Sequence, residues 1–347
     1  MHVSRIKPFC VIPFFIITYT LSSTGCYAFI ICTWNIFRFG PGKFSVPDVL
    51  ITAGKNASRM DIIIDQLQGC DIAAIQEYMD VQQTVMETLR LEIVRRTGKP
   101  FSLDLSPRVG RNSTEQYAFL YRSDKVIKTE TALYPERSNA DEFHRDPYFA
   151  RFSTLSRTNH QLQDILLGTV HLDPEDAVEE INSLVGVFDW AQRYFDTPDV
   201  MVIGDYNAGC SYVKERDWPR IQLWTNKTFT WIVPHDMDTT AMASVCAYTR
   251  AVYTGQTFKN TYLENSVEAP DFAKKFNLNS TQARLVSDHR LVKMTFNGPD
   301  SKDNQLHTPS GADTLFRHYY IRQSSSSDAI HKQHHPRSDF GALEPTP

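Results

Sequence analysis

Glycine is scarce, 15 in 347 residues, and shows no Gly-X-Y period, which excludes a collagen. There is no internal repeat and no sustained heptad pattern, so a coiled coil is excluded as well. Beyond the amino terminus no apolar run is long enough to cross a bilayer, which rules out a multi-span membrane protein. Neither sign of charge dominates: 36 Lys and Arg against 40 Asp and Glu give a formal net charge of -4. Contact with nucleic acid must therefore rely on a local basic patch and not on a global positive field. The cysteines also lack the paired spacing of a zinc site. What is present is 41% hydrophobic and 22% charged, enough to bury the core of one large α/β domain.

The first 28 residues have a charged start with Arg5 and Lys7, an apolar run from Phe9 to Tyr19 and a polar stretch ending at Cys26-Tyr27-Ala28. This is the layout of a secretory signal peptide, with the cut placed after Ala28. The competing reading is an uncleaved anchor extended by Phe29-Ile30-Ile31, which Ser22, Ser23, Thr24 and Gly25 interrupt. The expectation is a secreted protein with no stable membrane partner. Export makes disulfides possible. Cys10 and Cys26 leave with the signal, and Cys32, Cys70, Cys210 and Cys246 allow three pairings. Cys32 and Cys70 sit in apolar strand-like runs and are read as buried free thiols. Asn56, Asn112, Asn226 and Asn279 each begin an N-x-Ser/Thr glycosylation sequon.

Short apolar runs alternate with segments of helical period, the pattern of sheets covered by helices. Strands are predicted at Ile30 to Phe37, Ile72 to Gln76, Ala118 to Arg122, Ile165 to Val170, Val200 to Gly204 and Leu291 to Phe296. Helices are predicted at Met60 to Gln68, Val81 to Arg96 and Pro174 to Phe195, the last opened by Asp173-Pro174-Glu175. Val178, Ile181, Val185 and Phe188 place one face of that helix against a sheet. Residues 297–347 turn polar, with a Ser324 to Ser327 run and several histidines, and read as a mostly disordered tail.

Polar residues cluster at the ends of the apolar strands, where α/β proteins present their sites. Asn35 follows the first strand, Gln76-Glu77 the second, His171 a later one, and Asp205 with Asn207 follow Val200 to Gly204. Ser287-Asp288-His289 precedes the last strand. Carboxylate and carboxamide oxygens suit a hard divalent ion such as Mg²⁺. Two histidines beside it divide the labour of phosphodiester hydrolysis, one deprotonating water and one protonating the leaving oxygen.

In this order the motifs resemble the deoxyribonuclease I family: Thr33-Trp34-Asn35-Ile36, Ile75-Gln76-Glu77, Gly110-Arg111-Asn112-Ser113, Gly204-Asp205-Tyr206-Asn207-Ala208, Cys210-Ser211-Tyr212-Val213 and Ser287-Asp288-His289. Ile181-Asn182-Ser183-Leu184, Asp238-Thr239-Thr240-Ala241 and Cys246-Ala247-Tyr248 narrow the likeness to the secreted nuclease. The resemblance covers roughly residues 29 to 296. It implies an α/β fold, a four-layer sandwich of two packed mixed β-sheets flanked by helices, and a monomeric enzyme acting on DNA. It implies that Glu77 ligates Mg²⁺ (or Mn²⁺), with Asn35, Asp205, Asn207 and Asp288 holding metal and scissile phosphate. His171 and His289 become the acid/base pair, Glu115 orients His171, Arg145 and Tyr248 contact the phosphate, and Arg111 meets the DNA backbone. It further implies a Cys210–Cys246 disulfide and a structural Ca²⁺ at Asp238, Thr240 and Ser244.

The sequence also departs from the family pattern. Thr249 stands where the family has an Asp that orients the second histidine, which predicts a poorer base at His289. Met79 replaces an Arg that enters the minor groove, which predicts weaker DNA binding. The loop from Gly110 to Tyr117 is one residue short, with Thr114 near the place of a missing tyrosine, and the family's small-loop disulfide has no counterpart between Leu133 and Arg145. The surface the family offers to actin has changed near Leu105 and Tyr148, and no actin assignment follows. The leading expectation is a secreted, divalent-metal-dependent endonuclease that leaves 5′-phosphates, at reduced efficiency. Its rival is a pseudonuclease that binds DNA or protein without turnover; a lipid or inositol-phosphate hydrolase of the wider superfamily is the third reading.

Overall fold

The computed structural model describes residues 27–43, 49–52, 55–111, 113–135, 142–155 and 162–298. The proposed signal peptide, up to its last two residues, and nearly all of the proposed tail lie outside them. Two mixed sheets form the centre. The first has the order β13 (Val292–Gly298), β1 (Tyr27–Phe39), β4 (Ile72–Tyr78), β6 (Gln116–Arg122), β5 (Phe101–Leu105). The second runs β11 (Thr230–Trp231), β12 (Thr249–Thr254), β10 (Val200–Asp205), β9 (Asp164–His171), β8 (Tyr148–Thr154), β7 (Val126–Leu133). A hairpin of β2 (Val49–Thr52) and β3 (Lys55–Ser58) stands apart. In each large sheet one parallel pair, β1 with β4 or β9 with β10, is flanked by antiparallel neighbours.

The alternation of side chains along each strand sets the layers. Phe29 and Ile31 of β1 face the second sheet, together with Ile72, Ala74, Phe119, Leu167, Met201 and Ile203. Cys32, Trp34 and Ile36 turn the other way and pack under α1 (Arg59–Leu67), α2 (Thr84–Thr97) and α7 (Ser280–Val286). On the far side α3 (Ala177–Tyr194) buries Val178, Ile181, Leu184, Val187 and Phe188 against Leu166, Val170, Val200 and Val202. Each such side chain contributes roughly 1.5–3 kcal/mol on burial. Three short helices, α4 (Gln222–Thr225), α5 (Gln256–Thr261) and α6 (Phe272–Lys275), close the edges. This is the four-layer sandwich expected. Among the described residues no helix is long and apolar enough to cross a membrane.

Helix starts differ from expectation for reasons of capping. α2 begins three residues late because the Asp80 carboxylate accepts the amides of Gln82, Thr84 and Val85 and holds the preceding turn. Likewise Asp173 caps the turn at Glu175, not the helix, and α3 opens at Ala177. α1 starts on a capping box between Ser58 and Asp61.

The cysteines require one correction. Cys32 and Cys70 are not free thiols: they form a disulfide with Cα atoms 5.9 Å apart. β1 and β4 run parallel with Cys32 opposite Ala73, which carries Cys70, just before β4, alongside Cys32. That proximity arises from strand pairing across 38 residues and leaves no mark in the local sequence. Cys210 and Cys246 pair as the resemblance implied, with Cα atoms 5.8 Å apart.

Candidate active site

The two parallel pairs end at the same edge of the sandwich, so the residues at their carboxyl ends converge. Asn35 and Glu77 come from the first sheet, His171 and Asp205 from the second. Gly204 makes the last pair possible: its φ is +149°, and a Cβ there would meet the Val170 carbonyl oxygen at 2.0 Å. The sheets are pinned together here. Gln76 Nε2 donates to Thr169 Oγ1 at 2.8 Å, and the His171 amide donates to the Tyr117 hydroxyl at 3.0 Å.

Asp205 is the hub. Its Oδ2 accepts from Asn35 Nδ2 at 3.0 Å and lies 3.3 Å from His289 Nε2 and 3.8 Å from His171 Nε2. Its Oδ1 accepts the Asn207 amide at 3.1 Å. Burial works to raise its pKa, but the two histidines, Asn35 and the Asn207 amide together hold it below the usual carboxylate range. His171 Nδ1 lies 3.1 and 3.0 Å from the two oxygens of Glu115. Burial disfavours the charged imidazole, yet Glu115, and Asp205 further off, outweigh it and push its pKa up to about 9. Glu115 also accepts the Glu77 amide and pairs with Arg145 Nε at 3.0 Å. Arg145 in turn reaches the His171 carbonyl, and Arg111 donates to the carbonyl of Phe143 two residues before it.

Glu77 occupies a positive φ of 60°, which a non-glycine residue adopts only under constraint. Its carboxylate accepts from Asn35 Nδ2 at 2.9 Å and from the Arg38 amide at 2.8 Å. Asn207, also at positive φ, donates to the Leu172 carbonyl. Ser287 fixes the third motif: its hydroxyl donates to the Asn35 carbonyl at 2.7 Å and accepts the His289 amide at 3.0 Å. Tyr248 is half-buried, its ring 6.0 Å from that of His289 and 5.3 Å from that of Tyr212. Burial, with Glu77 and Asp205 nearby, raises the pKa of Asp288 despite His289.

Two buried acceptors, Asn35 Oδ1 and Asp288 Oδ1, have no hydrogen-bond partner among the described residues. Buried oxygens of this kind are costly unless something fills them, and with Glu77 and Asp205 alongside they fit a hard divalent ion. His289 Nδ1 and Thr249 Oγ1 are likewise buried and unpartnered.

The sequence-predicted set thus gathers in one place, apart from three groups. Asp238, Thr240 and Ser244 lie on the loop closed by Cys246: the Thr240 hydroxyl, with one proton to give, lies 2.9 Å from Asp238 Oδ1 and also against the Ser244 main-chain carbonyl, not its side chain. Of the sequons, Asn226 and Asn279 are exposed, Asn56 lies in β3, and Asn112 is outside the described residues. Tyr148, near the surface the family offers to actin, is buried and donates to Asp104. Sequence reading missed Tyr117, Thr169 and Glu180. Glu180 accepts the amides of His144 at 2.6 Å and Asp173 at 2.7 Å, clipping together the segments that follow Arg111's partner and His171. Its only sequence signal is a charged residue on the buried face of α3.

The fold and the converging carboxylates, amides and histidines define a phosphoesterase-type site. Residues 32–289 match the Endonuclease/Exonuclease/phosphatase family. The chain is 33% identical over 279 residues to deoxyribonuclease-1-like 2 of Mus musculus, covering 80% of this chain and 95% of that protein. It is 33% identical over 274 residues to deoxyribonuclease-1 of Homo sapiens, covering 78% and 93%. An endonuclease/exonuclease/phosphatase family protein from Bacteroides thetaiotaomicron shares the fold, with a TM-score of 0.51 at 12% identity over 80% of this chain and 96% of that one. The chain belongs to the endonuclease/exonuclease/phosphatase family and, within it, to the deoxyribonuclease I branch.

Proposed function

We propose that the protein is a secreted, divalent-metal-dependent deoxyribonuclease that cuts DNA phosphodiester bonds and leaves 5′-phosphates. The observation that carries this reading is the approach of both His171 Nε2 and His289 Nε2, at 3.8 and 3.3 Å, to the one oxygen Asp205 Oδ2, beside unpartnered oxygens of Asn35 and Asp288. Export is supported by the amino-terminal segment and by two disulfides.

Glu77, Asn35, Asp205, Asn207 and Asp288 would hold Mg²⁺ or Mn²⁺, which when bound neutralises charge on the scissile phosphate. His171, whose pKa Glu115 and Asp205 raise above the ordinary imidazole value against the effect of burial, is suited to give its Nε2 proton to the 3′ oxygen as the P–O3′ bond breaks. His289 Nε2 accepts a proton from the attacking water. Arg145 presents a guanidinium fork to the phosphate, and Tyr248 flanks it. Little in this arrangement reads bases, so cutting should show weak sequence preference.

A second reading rests on Thr249. With no carboxylate on its Nδ1, His289 lacks the partner that fixes tautomer and charge, and a pseudonuclease that binds without turnover is the alternative. Nicking of supercoiled plasmid by the secreted protein in Mg²⁺ separates the two. Nicking that disappears in His289→Ala supports the enzyme; no nicking by wild type alongside nicking by Thr249→Asp supports the pseudonuclease.

A further inference from the structure

Arg290 directly follows the Ser-Asp-His motif, but its contacts are with the neighbouring loop. Its Nη2 lies 2.9 Å from Asp238 Oδ2 and 3.2 Å from Asp271 Oδ2, and its Nη1 is 3.5 Å from the Asp238 carbonyl. The Arg290 amide donates to the Thr239 carbonyl at 2.8 Å. Asp271 in turn caps α6 through the Lys274 amide. One guanidinium therefore joins three pieces of chain: the base of the 238–246 loop, the start of α6, and the segment leading into β13. The side chains of Arg290 and Asp238 are only 18% and 19% exposed, so this pair is poorly screened by water.

The other side of Asp238 is also engaged. Its Oδ1 accepts the Thr240 amide at 3.0 Å, and the single proton of the Thr240 hydroxyl is shared between that oxygen, 2.9 Å away, and the Ser244 carbonyl. A calcium ion needs six to eight oxygen ligands, with carboxylate charge among them. Here one carboxylate oxygen is paired with a fixed cation and the other accepts the Thr240 amide, so a second cation at Asp238 would sit against the guanidinium. While Arg290 is in place, Asp238, Thr240 and Ser244 do not fit the structural calcium that the resemblance implied.

We infer that Arg290 is a built-in replacement for a structural metal: its guanidinium holds the loop closed by the Cys210–Cys246 disulfide, and the loop's integrity is independent of calcium.

The test is limited proteolysis of the full chain by an elastase-type protease. Val245, exposed in the loop, is the reporter bond, and cleavage is mapped by mass spectrometry. One arm contains calcium and the other the calcium-selective chelator EGTA, with Mg²⁺ held constant so that the catalytic cluster is in the same state in both. Wild type is expected to be cleaved at the same slow rate in the two arms. Arg290→Gln frees Asp238 and Asp271, and its loop should be cut about tenfold faster in EGTA, because local opening governs cleavage. Arg290→Lys keeps the charge without the fork and should fall between the two in both arms, giving a milder variant if the Gln protein is not secreted. A wild-type loop protected about tenfold by calcium overturns the inference, and so does an Arg290→Gln loop no more cleavable than wild type.

Discussion

Asp205 and Thr249 face each other across the β10–β12 ladder, the first beside both histidines, the second buried with its hydroxyl unpartnered. The position next to the hub thus carries a side chain that satisfies nothing around it, while His289 Nδ1 is also left without a partner. Thr249→Asp should supply the missing charge. A gain in kcat of roughly ten- to a hundredfold is expected, part of the 10²–10⁴ that a well-oriented acid/base group contributes. An unchanged kcat in single-turnover plasmid cleavage would show that His289 is already adequately oriented.

The family resemblance implies that position 79 meets DNA, and Met79 brings no charge to it. Met79→Arg should tighten duplex DNA binding severalfold at low salt and steepen the slope of log K against log salt by about 1. Fluorescence anisotropy over a salt series with a catalytically silent His289→Ala background reads both. A slope that does not move means that position 79 does not face the backbone.

Glu180 should give the protein a distinctive pH response. Burial pushes its pKa up to about 7 against the two amides it accepts, with Asp173 adding to the rise and Arg145 opposing it. The folded state therefore holds a proton that the unfolded chain has released, and ionising this group weakens the fold. The cost is absent below about pH 4.5, grows as pH rises and is complete above about pH 7, where it is on the order of 3 kcal/mol. Glu180→Gln removes the titration. The difference in Tm between wild type and this variant should shift against wild type as pH rises from about 4.5 to 7; a flat difference would contradict the assignment.

The disulfide between Cys32 and Cys70 closes 38 residues and should stabilise by about 4 kcal/mol through the entropy of the unfolded chain. Replacing both cysteines with Ala is expected to lower Tm by roughly 10 °C in a domain of this size. Its size in urea unfolding checks the loop-closure argument, since the removed sulfurs line a core that Ala only partly refills.

Several parts of this structure were legible in the residues. The strand endings with Asn35, Glu77, His171 and Asp205 stood out because buried apolar runs stop abruptly at polar groups, and β1, β4, β9 and β10 follow those runs. β12 escaped notice since Arg250 interrupts it; in the fold that guanidinium is buried and spent on the carbonyls of Val233, Pro234 and Ala208. β7 mixes exposed and buried positions and lacks a clean period, and β8 is buried or half-buried along its whole length, with no exposed face to mark it. The Cys32–Cys70 pairing and the Asp238–Arg290 contact depend on chain segments far apart in sequence. No local pattern encodes them. Thr249 was visible as a substitution, whereas the unpartnered state of its hydroxyl required the packed environment.

The bonds from Gln76 to Thr169 and from His171 to Tyr117 have a further consequence. Neither sheet owns a complete site: the first brings Asn35, Glu77 and Glu115, and the second brings His171 and Asp205. Either sheet alone would hold only its share of the ligands, with His171 parted from the Glu115 that orients it. The proposed hydrolytic power would thus arise only when the two inert sheets dock, and the first sheet itself is complete only once β13, the last described strand, pairs with β1.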